Sequence, residues 1–276
     1  MDLWQAILLG IVEGITEFLP VSSTGHLTIA EKLTGLRVDD PAVTAYTAVI
    51  QMGAIAAVFV YFRSDLVQMA CAWFRGLSSK PARQDFHYRF AWYVIAGSIP
   101  IGLVGFFGQE VITGPLRNLW WVAGSLIGWS AAMVFAERAA TQLRGEPQLN
   151  LTDALIIGAA QCLALVPGVS RSGATITAGL LRGLDRVTAT RLAFFLGVPA
   201  LIAAGVYELK DVLHAENVGL PMLVVGTAVS FAVAYASIAW LLRFVAHHTM
   251  LSFVAYRVAL GVAIIVLIGS GVISAT

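Results

Sequence analysis

The chain has few charged residues for its length. Of its 276 residues, 12% are Asp, Glu, Lys or Arg, whereas 58% are hydrophobic. The mean hydropathy is +0.82. A soluble domain of this size cannot bury so much apolar surface. The composition therefore excludes an ordinary soluble fold and predicts that lipid covers part of the protein.

The chain also has only two cysteines, and its first residues contain no basic side chains. Cys71 and Cys162 stand alone, without a partner at metal-ligand spacing, so neither a disulfide framework nor a zinc site is expected. The N-terminus carries Asp2 in place of a basic segment, and Glu13 and Glu17 interrupt the apolar run, which disfavours a cleaved signal peptide. The net charge of +1 gives no sign of a nucleic-acid partner, and none is expected.

Long apolar segments, in contrast, are abundant. A helix needs about 20 apolar residues to cross a bilayer. We therefore expect an all-α polytopic membrane protein with six spans, at residues 43–62, 90–107, 119–135, 190–207, 220–242 and 251–268. Two further apolar stretches, residues 3–36 and 151–184, are broken in the middle by Pro, Ser and Gly, and neither has the pattern of a single span.

The positive charges predict the orientation, because Lys and Arg gather on the cytoplasmic side of membrane proteins. The loop at residues 63–89 holds five of them and is taken as cytoplasmic. The same side then holds Arg138, Arg144, Arg182, Arg186, Arg191 and Arg243, and the other side keeps Lys32, Arg37, Arg117 and Lys210. Both termini are expected outside.

The sequence also repeats itself. A shift of 148 positions aligns residues 21–25 with 169–173 and 33–36 with 181–184, and it pairs Glu13 with Gln161. We interpret residues 1–147 and 148–276 as two copies within a single membrane domain.

Each copy consists of a broken stretch followed by three spans. Because three is odd, the second copy is inverted if the broken stretches do not cross the membrane. Pro20 and Pro167 lie at the breaks and would bend the chain. We therefore expect two re-entrant helical hairpins that enter from opposite sides and meet near the midplane. The alternative is a pair of ordinary kinked spans, which gives eight crossings and two copies of parallel orientation.

Two carboxylates mark the first hairpin. Glu13 and Glu17 are four residues apart on a predicted helix and so share one face. Ionisable residues at membrane depth indicate a functional site. Two such close carboxylates repel each other unless a cation or a proton is shared between them. The alternative is that both lie at the membrane interface near a frayed N-terminus.

Hydroxyl groups follow the bend. Ser22, Ser23 and Thr24 precede Gly25 where a second helix would begin. Helix N-termini present unpaired N–H groups and suit phosphate. Helix capping explains one of the three hydroxyls equally well, but not all three.

His26 lies three residues after Ser23, so the two side chains share a helix face and could act as base and nucleophile. Glu17 is the nearest carboxylate that could orient the imidazole in a triad. The alternative is a packed structural histidine.

The second hairpin carries a cation in the equivalent place. Arg171 aligns with Ser23 of the first copy and, at membrane depth, should meet an anion; its planar guanidinium matches phosphate oxygens. The alternative is an ion pair with Glu13 or Glu17 and no ligand. His26 aligns with Ala174, so the first copy keeps the acid–base groups and the second keeps the cation. This division favours an enzyme over a symmetric transport pathway.

Two segments carry a family resemblance. Residues 13–26 read EGITEFLPVSSTGH, and residues 167–175 read PGVSRSGAT. They resemble the two signature motifs of the bacterial undecaprenyl-diphosphate phosphatases, the bacitracin-resistance family called BacA or UppP. The resemblance extends over essentially the whole chain in length, number of spans and repeat.

The resemblance implies removal of the terminal phosphate from undecaprenyl diphosphate at the outer face of the bacterial plasma membrane. This would recycle the lipid carrier for peptidoglycan synthesis and confer bacitracin resistance. It also implies a divalent cation, magnesium or calcium, for which Glu13 and Glu17 are candidate ligands. The lipid bilayer and a possible homodimer complete the expected partners.

The site expected from the residues and the resemblance has two groups. The catalytic residues are Glu13, Glu17, Ser23, His26 and Arg171. The substrate-binding residues are Ser22, Thr24, Gly25, Gly168, Ser170, Ser172, Gly173 and Thr175. Ser23 or an activated water would attack the terminal phosphorus, and the sequence leaves both open. A lipid flippase or secondary transporter is the alternative from another class, because inverted repeats with broken helices are typical of transporters.

Overall fold

A computed structural model describes residues 1–38, 40–108, 118–214 and 219–275. Over these ranges the chain forms α-helices and short 3₁₀ turns, without a β-strand. The helices are α1 Leu3–Thr16, α2 Ser23–Leu33, α3 Pro41–Tyr61, α4 Arg63–Ser78, α5 Phe86–Phe107, α6 Leu119–Ala139, α7 Leu151–Gln161, α8 Arg171–Leu181, α9 Arg186–His214, α10 Leu220–His247 and α11 Leu251–Gly269. Arg117 and the side chain of Lys210, both assigned to the outer side above, lie outside the described part.

Six of these helices, α3, α5, α6, α9, α10 and α11, are long and apolar enough to cross a membrane. The prediction of six spans is therefore confirmed. The helices extend beyond several predicted ends, because a hydropathy pattern stops at polar residues while the helix continues. Helix α5, for example, begins at Phe86 and is capped by Asp85, whose carboxylate accepts a hydrogen bond from the His87 N–H at 2.7 Å.

The segment at residues 63–89, expected as a loop, contains helix α4. Its buried residues Met69, Ala72 and Gly76 are three and four positions apart, which places them on one face. Asp65 in the first turn and Arg75 in the last turn complement the helix dipole. The loop prediction was incomplete here because a weakly apolar, amphipathic helix gives no long apolar run.

Each broken stretch forms two helices that turn back on one another. In the first pair, α1 and α2, Gln5 near the start donates a hydrogen bond from Nε2 to the Thr34 carbonyl near the end, at 3.1 Å. In the second pair, α7 and α8, Arg182 donates from Nε to Asp153 Oδ1 at 2.9 Å. The start of each pair therefore lies beside its end, and each pair is a helical hairpin.

The two hairpins open toward opposite ends of α6. At the start of α6, the Leu119 N–H donates to the Ala275 carbonyl at 2.8 Å, and the adjacent Ser274 carbonyl accepts from Lys32 of the first hairpin at 2.8 Å. Near the end of α6, Glu137 forms an ion pair with Arg186, which follows directly on the second hairpin. The bends of the two hairpins meet between the two ends of α6, where Ser22 bonds to Gly168 and Ser172 bonds to Leu19.

Equivalent positions in the two sequence copies have the same backbone conformation. Ser22 and Ser170, 148 residues apart, both have φ of 76°, an uncommon value for a residue other than glycine. Gly35 and Gly183, also 148 residues apart, have φ of 75° and 77°. Helices α2 and α8 begin and end at equivalent positions as well.

Glycines set how closely each hairpin packs on a neighbouring helix. A Cβ at Gly14 of α1 would lie 2.8 Å from the Ser230 carbonyl oxygen of α10. A Cβ at Gly158 of α7 would collide with the backbone of Gly97 in α5. Small residues allow such close approach between membrane helices. The first helix of each hairpin is thereby held against one long helix.

Arg257 of α11 joins the bends of the two hairpins. Its side chain is 0% exposed. Nη1 donates to the Pro20 carbonyl at 3.0 Å, Nη2 donates to the Gly168 carbonyl at 2.8 Å, and Nε donates to Ser130 Oγ at 3.3 Å. A buried guanidinium and two buried carbonyls at helix breaks would each be unfavourable alone. Together they satisfy one another.

Replacing Arg257 with Met should destabilise the protein, because the volume is kept while both carbonyls lose their donor. Each buried unsatisfied carbonyl is expected to lower the free energy of unfolding by about 1–3 kcal/mol. The free energy of unfolding of Arg257→Lys should lie between those of Arg257→Met and the wild type. A single ammonium cannot reproduce the paired donors that a planar guanidinium offers to the two carbonyls. Thermal unfolding of detergent-purified protein measures this. The matched control is Arg243→Met at an exposed arginine of α10, and equal stability of the Arg257→Met and Arg243→Met variants would contradict the assignment.

Candidate active site

A cavity of about 740 Å³ lies where the hairpins meet. Its polar lining comes from the first hairpin, from α3 and from the start of α8, and the rest is apolar. The polar lining residues are Glu13, Thr16, Glu17, Ser22, Ser23, Thr24, Thr28, Glu31, Thr44, Thr47, Gln51, Ser170 and Arg171. Seven residues of the predicted site therefore border one space: Glu13, Glu17, Ser22, Ser23, Thr24, Ser170 and Arg171.

Glu17 lies at the centre of the contacts in this cavity. Its Oε1 accepts a hydrogen bond from Arg171 Nη2 at 2.9 Å, and its Oε2 accepts from Ser23 Oγ at 2.7 Å. The ion pair between Glu17 and Arg171, one of the alternatives in the sequence analysis, is thus present. Because both side chains are largely buried, each charge needs the other. The Glu17 carboxylate therefore connects Arg171 of the second hairpin with Ser23, the first residue of α2.

Glu13 lies one helical turn before Glu17 and is 1% exposed. Both carboxylates line the same cavity, as their spacing predicts. Glu31 lines it too, so the cavity wall carries three acidic groups beside one arginine. This concentration of buried charge in an apolar chain is characteristic of a functional site.

Several predicted hydroxyls hold the hairpins together. Ser22 Oγ accepts from the Gly168 N–H at 3.2 Å, and Ser172 Oγ donates to the Leu19 carbonyl at 3.0 Å, so each hairpin bonds to the other. Ser170 caps α8 by accepting from the Gly173 N–H at 3.2 Å. The hydroxyl of Thr175 donates to the Arg171 carbonyl one turn earlier at 2.8 Å.

The predicted glycines act through backbone shape. Gly168 has φ of 97°, and a Cβ there would collide with the Val122 carbonyl of α6. A Cβ at Gly25 would lie 3.0 Å from Val122 Cγ1, and one at Gly173 would lie 3.2 Å from Ser170 Cβ. These glycines, with Ser172 and Thr175, are not among the cavity-lining residues. They bring the hairpin ends close to α6 and to each other.

His26 has partners other than those expected. Its Nδ1 lies 2.7 Å from the Ser22 carbonyl oxygen and its Nε2 lies 2.6 Å from Tyr256 Oη. Since a carbonyl only accepts, Nδ1 carries the proton and Nε2 of the neutral ring accepts from the tyrosine hydroxyl. The two rings are stacked with centroids 5.6 Å apart.

The structure thus differs from the predicted triad of Ser23, His26 and Glu17. Both ring nitrogens of His26 are engaged elsewhere, and His26 does not line the cavity. Glu17 accepts the Ser23 hydroxyl directly because the bend at residues 17–22 returns the start of α2 to the end of α1. In the structure Glu17, and not His26, accepts the Ser23 hydroxyl.

Three residues of the site region lie outside the predicted motifs. Arg257 and Tyr256 contribute the contacts described above, and Gly197 of α9 makes room for Arg171, since a Cβ at Gly197 would collide with the Arg171 guanidinium. An ionisable residue within an apolar span was a usable signal for Arg257. Tyr256 and Gly197 had no such signal, because their roles depend on distant partners.

Glu13 and Glu17 are the candidate ligands for a divalent cation. Within the ranges that the structure describes, no group of three or more His, Cys, Asp or Glu side chains converges on one point. Mg²⁺ in phosphate-transferring sites often takes one or two carboxylates and completes its shell with substrate phosphate and water. The paired Glu13 and Glu17 on the cavity wall fit that kind of site.

Known proteins resemble this chain over essentially its whole length. Residues 6–263 match the family described as Bacitracin resistance protein BacA. An undecaprenyl-diphosphatase of Acidothermus cellulolyticus is 57% identical over 98% of both chains. Undecaprenyl-diphosphatase 1 of Streptomyces coelicolor is 56% identical over 99% of this chain and 98% of its own, and undecaprenyl-diphosphatase 3 of Frankia casuarinae is 53% identical over the whole of both. The chain is a multi-pass membrane protein that belongs to the bacitracin-resistance family BacA.

Proposed function

We propose that this protein hydrolyses undecaprenyl diphosphate to undecaprenyl phosphate and inorganic phosphate. The observation that carries the proposal is the bonded group of Arg171, Glu17 and Ser23 inside a cavity of a membrane protein. The names of the full-length relatives supply the substrate. The lipid monophosphate would return to peptidoglycan synthesis, and faster recycling would confer resistance to bacitracin.

Arg171 and the starts of α2 and α8 would bind the diphosphate. Only Nη2 of Arg171 is bonded to Glu17, so the guanidinium has further donors for phosphate oxygens. Helix N-termini add backbone N–H groups and a favourable dipole. Such preorganised donors offset the charge that grows in the transition state, which is the main requirement in phosphoryl transfer.

Ser23 would act as the nucleophile and Glu17 as its base. The 2.7 Å hydrogen bond leads the Ser23 proton to Glu17 as Oγ attacks the terminal phosphorus. The bond to the bridging oxygen breaks and undecaprenyl phosphate leaves. Glu17 passes the proton to the leaving phosphate and is again a free carboxylate. Water then cleaves the phosphoserine: Glu17 accepts a proton from the attacking water and returns it to Ser23 Oγ as inorganic phosphate is released. A water activated directly by Glu17 is the alternative, and the base is the same in both.

Glu13 and Glu17 would hold a divalent cation together with the substrate. Such a cation, when bound, neutralises phosphate charge. Glu13 is suited to this because it lies beside Glu17 on the cavity wall, and carboxylate oxygens are the ligands that magnesium and calcium prefer.

The two hairpins would be re-entrant, in two inverted copies of one fold. The matching backbone of Ser22 with Ser170 and of Gly35 with Gly183 supports the duplication. The opening of the hairpins toward opposite ends of α6 supports the inversion. With the Arg-rich segment at residues 63–89 in the cytoplasm, both termini and the first hairpin face outward. The cavity would then open to the outer side of a bacterial plasma membrane.

The second candidate function is lipid transport. Two hairpins that meet end to end from opposite sides of the bundle are a feature of inverted-repeat transporters. The two functions separate in a Ser23→Ala variant reconstituted in vesicles. Movement of undecaprenyl phosphate across the bilayer without release of phosphate from the diphosphate would favour transport.

Loss of the base or the nucleophile should abolish hydrolysis. We expect Glu17→Gln and Ser23→Ala to lower kcat by about 100-fold or more, since general-base and nucleophilic groups typically contribute that much. The measurement is phosphate release from undecaprenyl diphosphate by detergent-purified protein. The matched controls are Glu146→Gln and Ser78→Ala, since neither residue lines the cavity. Wild-type rates in the Ser23→Ala variant would instead identify water as the nucleophile.

Gly197→Ala should displace Arg171 without unfolding the protein, because the methyl group meets the end of a flexible side chain. A displaced guanidinium is expected to lower kcat/KM by about 10- to 100-fold. Steady-state kinetics and thermal unfolding, measured side by side, test this. Gly124→Ala on α6 is the control, as a Cβ there meets nothing within 4 Å. An active Gly197→Ala variant would show that the position of Arg171 is not critical.

Removal of divalent cations with EDTA should stop phosphate release, and added Mg²⁺ should restore it. Glu13→Gln is expected to raise the Mg²⁺ concentration required for half-maximal activity by about tenfold, since one charged ligand is lost. Terbium luminescence, excited through the protein's aromatic residues, reports binding independently of turnover. Full activity in EDTA, with no terbium signal, would argue against a metal at these carboxylates.

A further inference from the structure

Helix α3 turns a polar face to the cavity, and the hydrolytic residues do not explain it. The face consists of Thr44, Thr47, Ala48 and Gln51, spaced three and four positions apart along the helix. This spacing places the side chains on one side. Helix α3 is long and apolar enough to cross a membrane, and polar side chains inside such a helix are costly and indicate a function.

Gln51 differs from its polar neighbours Thr28 and Thr47 in having no protein partner. Thr47 Oγ1 donates to the Thr44 carbonyl at 2.9 Å, and Thr28 Oγ1, which lines the cavity from α2, donates to the Thr24 carbonyl at 2.9 Å. Among the described residues, none hydrogen-bonds to the Gln51 side-chain amide, which lines the cavity. An unpaired amide in an apolar helix is unfavourable unless water or a ligand meets it.

The level of Gln51 in the bundle follows from the contacts of α3 with α1 and α10. Tyr46 Oη of α3 donates to the Ala6 carbonyl of α1 at 2.8 Å. A Cβ at Gly10 of α1 would lie 2.7 Å from the Gly226 carbonyl oxygen of α10, and a Cβ at Gly226 would lie 2.9 Å from Ile50 Cγ2 of α3. Helices α1 and α3 therefore meet the same turn of α10.

Both helices continue from that turn in the same direction. A Cβ at Gly14 of α1 or at Gly53 of α3 would collide with the backbone of α10 between residues 227 and 234. Glu13 precedes the first of these glycines by one position, and Gln51 precedes the second by two. The carboxylate and the amide thus border the cavity at similar levels.

Helix α9 relates this level to the position of Arg171. Gly197 of α9 gives space to the Arg171 guanidinium, and Gly205, eight positions later, lies against the side chain of Met52, the residue after Gln51. Eight positions of an α-helix span about 12 Å. Because Arg171 and Gln51 both have long side chains and both border the cavity, a diphosphate can lie between them.

A neutral donor suits this part of the cavity. The wall carries three acidic groups beside one arginine, so an anionic diphosphate needs donors that add no negative charge. A primary amide offers two N–H donors. The proposed reaction places the terminal phosphate at Ser23 and Arg171, which leaves the second phosphate for a donor from another element. Gln51 supplies that donor without breaking a hydrogen bond within the described part of the protein.

We propose that the Gln51 side-chain amide donates a hydrogen bond to the lipid-bearing phosphate while the terminal phosphate lies at Arg171 and Ser23. This inference rests on the proposed function and adds the residue that binds the second phosphate. The lipid-bearing phosphate is the leaving group, so the contact is present both before and during cleavage. Gln51 therefore contributes to the affinity for the substrate and for the lipid monophosphate product, and little to the chemical step.

The test compares Gln51→Met and Gln51→Leu, which remove both donors, with Gln68→Met and Gln68→Leu. Gln68 is exposed on α4, donates to Ser64 of its own helix and does not line the cavity. Phosphate release from undecaprenyl diphosphate by detergent-purified protein gives kcat and KM. Inhibition constants are measured for undecaprenyl phosphate and for inorganic phosphate. Thermal unfolding identifies any variant that fails to fold, and two substitutions guard against losing one.

We expect the Gln51 variants to raise KM and the inhibition constant of undecaprenyl phosphate by about tenfold each, the loss typical of a hydrogen bond to a charged group. The value of kcat and the inhibition constant of inorganic phosphate should change by less than about threefold, as for an interaction made equally in the ground state and the transition state. Since no described hydrogen bond is lost, the unfolding temperature should not fall. The controls should match the wild type.

Folded Gln51 variants with a wild-type KM would overturn the contact. A loss confined to kcat, or weaker inhibition by inorganic phosphate alone, would overturn it as well, because the amide would then act on the chemical step or on the terminal phosphate. A lower unfolding temperature in both Gln51 variants would assign the residue a structural role in its place. Wild-type protein that releases no phosphate from undecaprenyl diphosphate would overturn the proposed function itself.

Discussion

The fold depends on a problem of hydrogen bonding at the two helix breaks. A bend inside an apolar bundle leaves backbone carbonyls without the helical N–H groups that would satisfy them, and lipid offers no replacement. Arg257 supplies donors to the Pro20 and Gly168 carbonyls at once, so it connects the two bends through one rigid guanidinium. Ser22 and Ser172 add bonds from each hairpin to the other. The relative position of the hairpin ends is therefore fixed before any substrate binds.

The site follows from this constraint. Helix α1 ends and helix α2 begins in the middle of the bundle, so the N–H groups in the first turn of α2 have no helical partners. The bend between the two helices brings Glu17, at the end of α1, beside Ser23, at the start of α2. An unbroken helix would point these residues away from each other and leave no groups for a phosphate. Arg171 approaches from the other hairpin, and the absence of a side chain at Gly197 gives its guanidinium the space it needs. The same breaks that require Arg257 thus bring Ser23 within hydrogen-bonding distance of Glu17.

Much of this was predictable from local sequence, and the remainder depends on contacts between distant residues. Six spans follow from hydropathy, and Pro20 and Pro167 mark the breaks. The pairing of Glu17 with Arg171 was among the alternatives because both are costly to bury alone. The pairing of His26 with Tyr256 could not be inferred, since the two are 230 positions apart and helical spacing pointed to Ser23. Helix α4 was missed because it is amphipathic rather than uniformly apolar.

The two hairpins share a backbone and differ in chemistry, which bears on the choice between enzyme and transporter. Ser22 and Ser170 have the same φ, yet the position of Ser23 is taken in the second copy by Arg171. A transporter of this architecture must let its halves move against each other. Here such motion would break the bonds of Arg257 to both bends, together with those of Ser22 and Ser172, and would leave buried polar groups without their present partners. The described contacts hold the hairpin ends as one unit, which suits a fixed hydrolytic site and opposes a mechanism that needs them to separate.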